Sequence, residues 1–320
     1  MHQHPPPATP AARAVAHVDR HARGGPVDPT WPITVHFHPD RPVRSSRGDA
    51  HPRSATVLRA LTADGRYRSQ FETGTGNGGL TAHPGGDRWS WESRLFAAAY
   101  DTEPAAARPV YGSLNHARHP VGGSPRFGSA HLRLRAHVLT RTTFCYPDSA
   151  EDPVDVATAA HFDLLRVRRQ RPDTATRDLL DDYVEAHVHG GLLLGRDVEA
   201  LVLDPSHRGT DVEDDAHRFS RRFAVALEWH PGFATTARTV AQHPGYRGAD
   251  VVAAAARVAA GAPDGTLTPR VVGVAARAGA EDEQVLKRVW HCTARFGWPS
   301  GGSPAVVAPP GRGHGPSSTS

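Results

Sequence analysis

The run Val184-Glu185-Ala186-His187-Val188-His189-Gly190 alternates apolar and polar residues with a period of two. In an extended strand this puts Glu185, His187 and His189 on one face and Val184, Ala186 and Val188 on the other. The next run, Asp197-Val198-Glu199-Ala200-Leu201-Val202-Leu203-Asp204, is more apolar and is closed by Pro205, so it reads as a second strand. A polar strand face beside an apolar strand points to the middle of a sheet. Upstream, Ile33-Thr34-Val35-His36-Phe37-His38 alternates in the same way, with Thr34, His36 and His38 sharing a face. Residues 110–114, 130–134 and 142–146 add strand-like runs, and residues 67–73 read as extended. Residues 89–100 read as a helix, and Ser54 offers a cap for another that begins near Ala55. After residue 212 strand signals thin out, and residues 215–228, 251–260 and 281–296 take helical spacing. The chain therefore reads as an α+β body over residues 29–212 followed by a smaller helical domain over residues 213–298.

The chain has 320 residues, of which 31 are Gly and 28 are Pro, dense at both ends. Residues 1–28 thus read as a disordered arm and residues 299–320 as a disordered Gly/Ser/Pro tail. Lys287 is the only lysine, and the net charge of +4 is too small to argue for a nucleic-acid surface. No apolar run is long enough for a transmembrane helix, and Met1-His2-Gln3-His4 does not open a signal peptide. Cys145 and Cys292 form no disulfide framework, which fits reduced thiols. These features give the expectation of a cytoplasmic protein with no membrane partner.

Four groups of residues carry chemistry. Gly74-Thr75-Gly76-Asn77-Gly78-Gly79 is glycine-rich enough for close backbone approach to a ligand, but it lacks the Lys-Ser/Thr of a phosphate loop and the spacing of a dinucleotide fingerprint. Ser69, Gln70, Glu72 and Thr73 precede it and make it a candidate binding loop. His36 and His38 could hold a substrate hydroxyl or ligate a metal, with Asp40, His187 and His189 as completions by residue type alone. Glu185 could orient a sugar hydroxyl or stabilise a developing positive charge. Tyr111 lies in a Gly/Ser-containing run, and Arg126, within Gly122-Gly123-Ser124-Pro125-Arg126-Phe127-Gly128-Ser129, is a natural phosphate partner. Cys145 has no neighbouring base in the sequence and reads as a buried thiol.

As a set, residues 33–41, 69–79, 94–101, 108–115, 123–134, 142–149, 182–209, 228–233 and 288–297 resemble an uncharacterised bacterial family, domain of unknown function 3626. Gly76, the pair Ala97-Ala98, Ala130 and His187 depart from that family's usual residues. The motif order is similar, more distantly, to the ADP-ribosyltransferase-like fold, which implies a split, mixed or antiparallel sheet and NAD as the substrate. That resemblance implies that His36 or His38 holds the adenosine ribose. Tyr67 or Ser69, less so Tyr111 or Thr142, would lie against nicotinamide. Glu185 would stabilise the oxocarbenium-like cation left when nicotinamide departs. It implies an ADP-ribosyltransferase or NAD glycohydrolase, with an unidentified protein or nucleic-acid target and no metal. Two other classes stay open: a non-catalytic binding or toxin-associated module, and a metal-dependent hydrolase built on His and Asp.

Overall fold

The computed structural model describes residues 8–43, 55–74 and 81–298. The strands are β1 (Ile33–Phe37), β2 (Arg66–Tyr67), β3 (Val110–Leu114), β4 (Ala130–Leu134), β5 (Thr142–Cys145), β6 (Val156–Thr158), β7 (Val184–Val188), β8 (Leu192–Leu193), β9 (Val198–Leu203), β10 (Ala226–Trp229), β11 (Thr235–Thr236) and β12 (Thr266–Leu267). The α-helices are α1 (Pro10–Asp19), α2 (Val57–Asp64), α3 (Gln70–Thr73), α4 (Asp87–Leu95), α5 (Leu164–Gln170), α6 (Leu194–Asp197), α7 (Asp211–Phe223), α8 (Ala237–Ala241), α9 (Asp250–Ala260), α10 (Pro269–Arg277) and α11 (Glu283–Phe296).

Eight strands form one mixed sheet in the order β10-β9-β4-β1-β3-β7-β5-β6. The β9–β10 pair is parallel and the other pairs are antiparallel. An α+β body with a large mixed sheet is thus what the chain forms. The sheet is continuous rather than split, because β1 pairs with both β3 and β4.

Strand register sorts the side chains. Opposed residues point the same way, so the pairs Thr34–Ser113, His36–His131, Tyr111–His187, Ser113–Glu185, Thr143–His187 and Cys145–Glu185 define one polar face. The other face carries Ile33, Val35, Phe37, Leu132, Phe144, Val184, Ala186 and Val188, all buried in the main core. Leu58 and Leu61 of α2 and Val212, Ala216 and Phe219 of α7 join that core. The polar face is buried as well: Thr34, Ser113, Thr143 and His187 are each 0% exposed.

The boundary after residue 212 shifts. Helix α7 is capped by Thr210, but the chain then returns as β10 to extend the sheet beside β9. This β9–α7–β10 crossover belongs to the body. The helical layer proper holds α8 to α11 around Phe233, Val258, Leu286, Val289 and Trp290. The Trp290 indole N–H donates to the carbonyls of Pro125 (3.0 Å) and Arg126 (3.2 Å), which ties this layer to the loop before β4.

Residues 1–28 do not form a disordered arm over their described part. Thr9 caps α1, Pro10 opens it, and Ala14 and Val18, one turn apart, bury against Phe96, Ala99 and Tyr100. Helix α2 is capped by Thr56, while Ser54 and the tail at 299–320 lie outside the described residues. Residues 67–73 are not extended throughout: Ser69 and Glu72 form a capping box that starts α3. The helix expected at 89–100 is α4, shorter and earlier, and it closes through Ala97 and Ala98 at φ of 49° and 56°. Among the described residues no helix is long and apolar enough to cross a membrane.

Candidate functional site

A cleft of about 360 Å³ opens where the polar face meets the helical layer. It is lined by His36, His38, Tyr67, Gln70, Thr73, Arg88, Tyr111, Arg126, Asp148, Ser149, Glu185 and Trp290, among others. Eight of the sequence candidates therefore meet in one place: His36, His38, Tyr67, Gln70, Thr73, Tyr111, Arg126 and Glu185.

Glu185 is 6% exposed. Its Oε1 accepts from His187 Nε2 at 3.1 Å, and its Oε2 accepts from the Ser149 hydroxyl at 3.2 Å. Burial opposes its charge. The bonds from His187 and Ser149 and the Arg88 charge outweigh burial and hold the carboxyl below the usual carboxylate range. Glu185 is thus an ionised carboxylate in a largely dehydrated wall.

A chain of hydrogen bonds runs back from it. The Tyr100 hydroxyl lies 2.7 Å from His189 Nδ1, and His189 Nε2 lies 2.9 Å from Thr143 Oγ1. Thr143 Oγ1 lies 3.1 Å from His187 Nδ1. With His187 neutral and donating to Glu185, Thr143 donates to His187, His189 to Thr143, and Tyr100 to His189. Burial holds His189 well below the usual imidazole range, which agrees with a neutral ring passing one proton along.

Arg88 was not legible as a site residue. It is 2% exposed, its guanidinium lies 4.3 Å from the Tyr111 ring centroid, and its Nη1 donates to the Ser149 hydroxyl at 3.5 Å. Among the described residues its Nε has no hydrogen-bond partner. Burial works against its charge, and contact with Tyr111 together with the Glu185 and Glu92 carboxylates more than offsets that. The available signal was Arg88, Trp91 and Glu92 at helical spacing in Asp87-Arg88-Trp89-Ser90-Trp91-Glu92, a buried stripe that includes two charges. Glu92 accepts from Arg108 at 2.6 Å and from the Tyr111 hydroxyl at 2.8 Å, so the Tyr111 ring is fixed with its oxygen engaged.

Several candidates do other work. His36 lines the cleft, but its Nδ1 bonds to the Gly128 carbonyl (3.1 Å) and its Nε2 accepts from the Ser124 N–H (3.3 Å). Burial pushes its imidazole down to about 3. Gly122 makes this contact possible: a Cβ there would sit 2.3 Å from His36 Nε2, and its φ is +85°. His38 sets its ring edge-on to Trp290 at 5.1 Å. The Tyr67 hydroxyl donates to the His36 carbonyl at 3.5 Å. Arg126 pairs with Asp181 at 2.6 Å, and its Nε has no partner among the described residues.

Ser69 is buried as the α3 cap and donates to the Ala105 carbonyl. Glu72 binds Arg66 and the Ser69 N–H. Gly74, at φ 61°, is the left-handed C-cap of α3. None of these three lines the cleft, because the segment turns into a helix instead of running along it. Asn77 lies outside the described residues. Thr142 is opposed to Val188, on the apolar face, and donates to the Val138 carbonyl.

The metal arrangement imagined around His36 and His38 does not assemble. The His36 nitrogens are bonded to backbone, and Asp40 accepts from Arg277 at 3.0 Å. Among the described residues, the metal-ligand types that converge are instead Cys145, Glu185 and His187. Burial pushes the Cys145 thiol well up, with the Glu185 charge adding to it, so it is no free nucleophile.

A family model described as a protein of unknown function, DUF3626, matches residues 32–168 and 165–295. No curated protein matches the chain. With most of the sheet and the helical layer covered by that match, the chain belongs to the DUF3626 family.

Proposed function

We propose that this protein splits NAD at the nicotinamide–ribose bond, as an ADP-ribosyltransferase or NAD glycohydrolase. The observation that carries this reading is Glu185, a buried and ionised carboxylate in a cleft shared with the guanidinium of Arg88 and the Tyr111 ring. Departure of nicotinamide leaves positive charge on the ribose. A fixed carboxylate in a poorly hydrated wall stabilises that charge more than it stabilises the neutral ring before cleavage. Arg88 and Arg126 are suited to a pyrophosphate. Tyr67 and Tyr111 offer aromatic walls to a planar ring. The cleft volume, about 360 Å³, falls within the range common for small-molecule sites.

The ribose role expected of His36 is not part of this proposal, since both of its nitrogens are bonded to backbone. The acceptor is water or a nucleophile on a protein or nucleic-acid target. The test is incubation of the purified chain with NAD labelled in the nicotinamide, with and without cell lysate. Release of free nicotinamide supports the reading. No release in either arm overturns it.

A further inference from the structure

Cys145, Glu185 and His187 come from adjacent strands β5 and β7, and register brings them together. Cys145 is directly opposite Glu185, and Thr143, two residues before Cys145, is opposite His187. His187 Nε2 lies 3.1 Å from Glu185 Oε1, and Cys145 Sγ lies 3.9 Å from each of those two atoms. Tetrahedral coordination with bonds of about 2.0–2.3 Å requires nitrogen and oxygen ligands about 3.3 Å apart, and sulfur about 3.6 Å from either. The three side chains thus stand a few tenths of an ångström from the spacing such an ion demands. All three are buried, so there is little side-chain freedom left to lose.

We propose that Cys145, Glu185 and His187 form a binding site for a zinc-like divalent ion. Thiolate and imidazole select borderline transition ions over magnesium or calcium. Thiolate and carboxylate together supply two negative charges against the ion's two positive ones, while the nearby Arg88 charge opposes binding. On binding, the Cys145 thiol releases its proton to solvent, as metal-coordinated thiols do. The His187 proton leaves Nε2 and the ring carries it on Nδ1 instead.

The hydrogen-bond chain behind His187 accommodates that change. Every member of it can both donate and accept. His187 Nδ1–H then donates to Thr143, Thr143 to His189, and His189 to the Tyr100 oxygen. A metal-bound histidine whose other nitrogen is held by a partner is the arrangement that orients such ligands. Three protein ligands leave a fourth position for water or a substrate atom. Glu185 is the ligand that also lines the cleft. The ion and the NAD reading call on the same carboxylate, so the test contains no NAD and its outcome is independent of nicotinamide chemistry.

The full-length chain, first stripped with a chelator, is titrated with Co(II) and followed by absorption. The expected result is one Co(II) per chain, tetrahedral bands in the visible, and a sulfur-to-cobalt charge-transfer band in the near ultraviolet that zinc abolishes. Cys145→Ser removes the charge-transfer band, and His187→Ala removes tight binding. Cys292→Ser keeps both, because Cys292 is buried in the separate core of the helical layer. Far-ultraviolet circular dichroism checks that each variant is folded. A wild-type chain that gives no charge-transfer band overturns the proposal whatever the variants do. So does a band that is lost in folded Cys292→Ser.

Discussion

The two faces of the eight-stranded sheet are made by the same strands and are buried to a similar degree, yet different forces hold them. On one face Ile33, Val35, Phe37, Phe144 and Val188 belong to one apolar core with Leu58 and Leu61 of α2 and Val212, Ala216 and Phe219 of α7. That packing is non-directional and scales with area removed from water. On the other face Thr34, Ser113, Thr143, Glu185 and His187 are equally enclosed, and their polar atoms bond to one another. A buried polar group left without a partner costs about 1–3 kcal/mol, so this face holds only if nearly every group is satisfied. The exceptions are therefore informative. Among the described residues His131 Nδ1 on this face has no partner, and neither do Arg88 Nε and Arg126 Nε, which line the cleft beside it. One face provides stability, and the other keeps a carboxylate charged beside guanidinium groups with unused donors.

Cutting the apolar face should have the largest effect on stability. Phe144→Ala, at a side chain with 0% exposure, should lower unfolding free energy by about 3–5 kcal/mol. Urea denaturation checks this, and a loss under about 1 kcal/mol would break the contrast between the faces. Arg88→Gln, on the polar side, should instead act on the ligand. We expect NAD binding weakened by about 1.5–3 kcal/mol, from the loss of charge-assisted bonds, as read by isothermal titration. Unchanged affinity would remove Arg88 from the phosphate role.

Acid should separate the faces further. The folded His36 has its imidazole pushed to about 3, below an unfolded value near 6.5, so the unfolded chain takes up protons first as pH falls. Stability from such a ring is fully present above about pH 6.5 and is lost progressively from there down to about 3. Between pH 7.5 and 5 each imidazole kept neutral should cost about 2 kcal/mol, measurable as a falling urea midpoint. His36→Gln should flatten that fall. A midpoint unchanged between the two pH values would mean that the polar-face histidines protonate without penalty.

The smallest expected effect lies outside both faces. Ala97 and Ala98 close α4 at φ of 49° and 56°, where a Cβ is strained. Changing either to glycine should raise stability by up to about 1 kcal/mol, the relief of strain being partly offset by chain entropy. Thermal unfolding would show it as a small rise in Tm.

The sheet was legible in the sequence because period-two alternation is a local signal. Alternation marks β1 and β7, and with β7 Glu185 on a polar face, while short strand-like runs mark β3, β4 and β5 and an apolar run closed by Pro205 marks β9. Three things were not legible, each for a non-local or weak-signal reason. Strand β10 follows a helix and carries only four residues, so nothing in it announced pairing with β9. Helix α1 was hidden in a Pro/Ala-rich segment, where Thr9 as cap and Ala14 with Val18 as contacts are a faint pattern. The meeting of Cys145 with Glu185 and His187 depends on register between strands about 40 residues apart. Residues 69–74 misled in the opposite direction. Their polar side chains suggested a binding loop, whereas Ser69, Glu72 and Gly74 are the start and stop signals of a one-turn helix.

The central claim is that the polar face holds Glu185 charged in order to meet a developing cation. It is tested most directly by nicotinamide release from NAD under saturating substrate, wild type against Glu185→Gln, with near-ultraviolet circular dichroism recorded on both. The account predicts a native spectrum for the variant and release slowed by about 10²–10³-fold, the scale of losing one preorganised electrostatic contact to the transition state. Release by folded Glu185→Gln at the wild-type rate would contradict it.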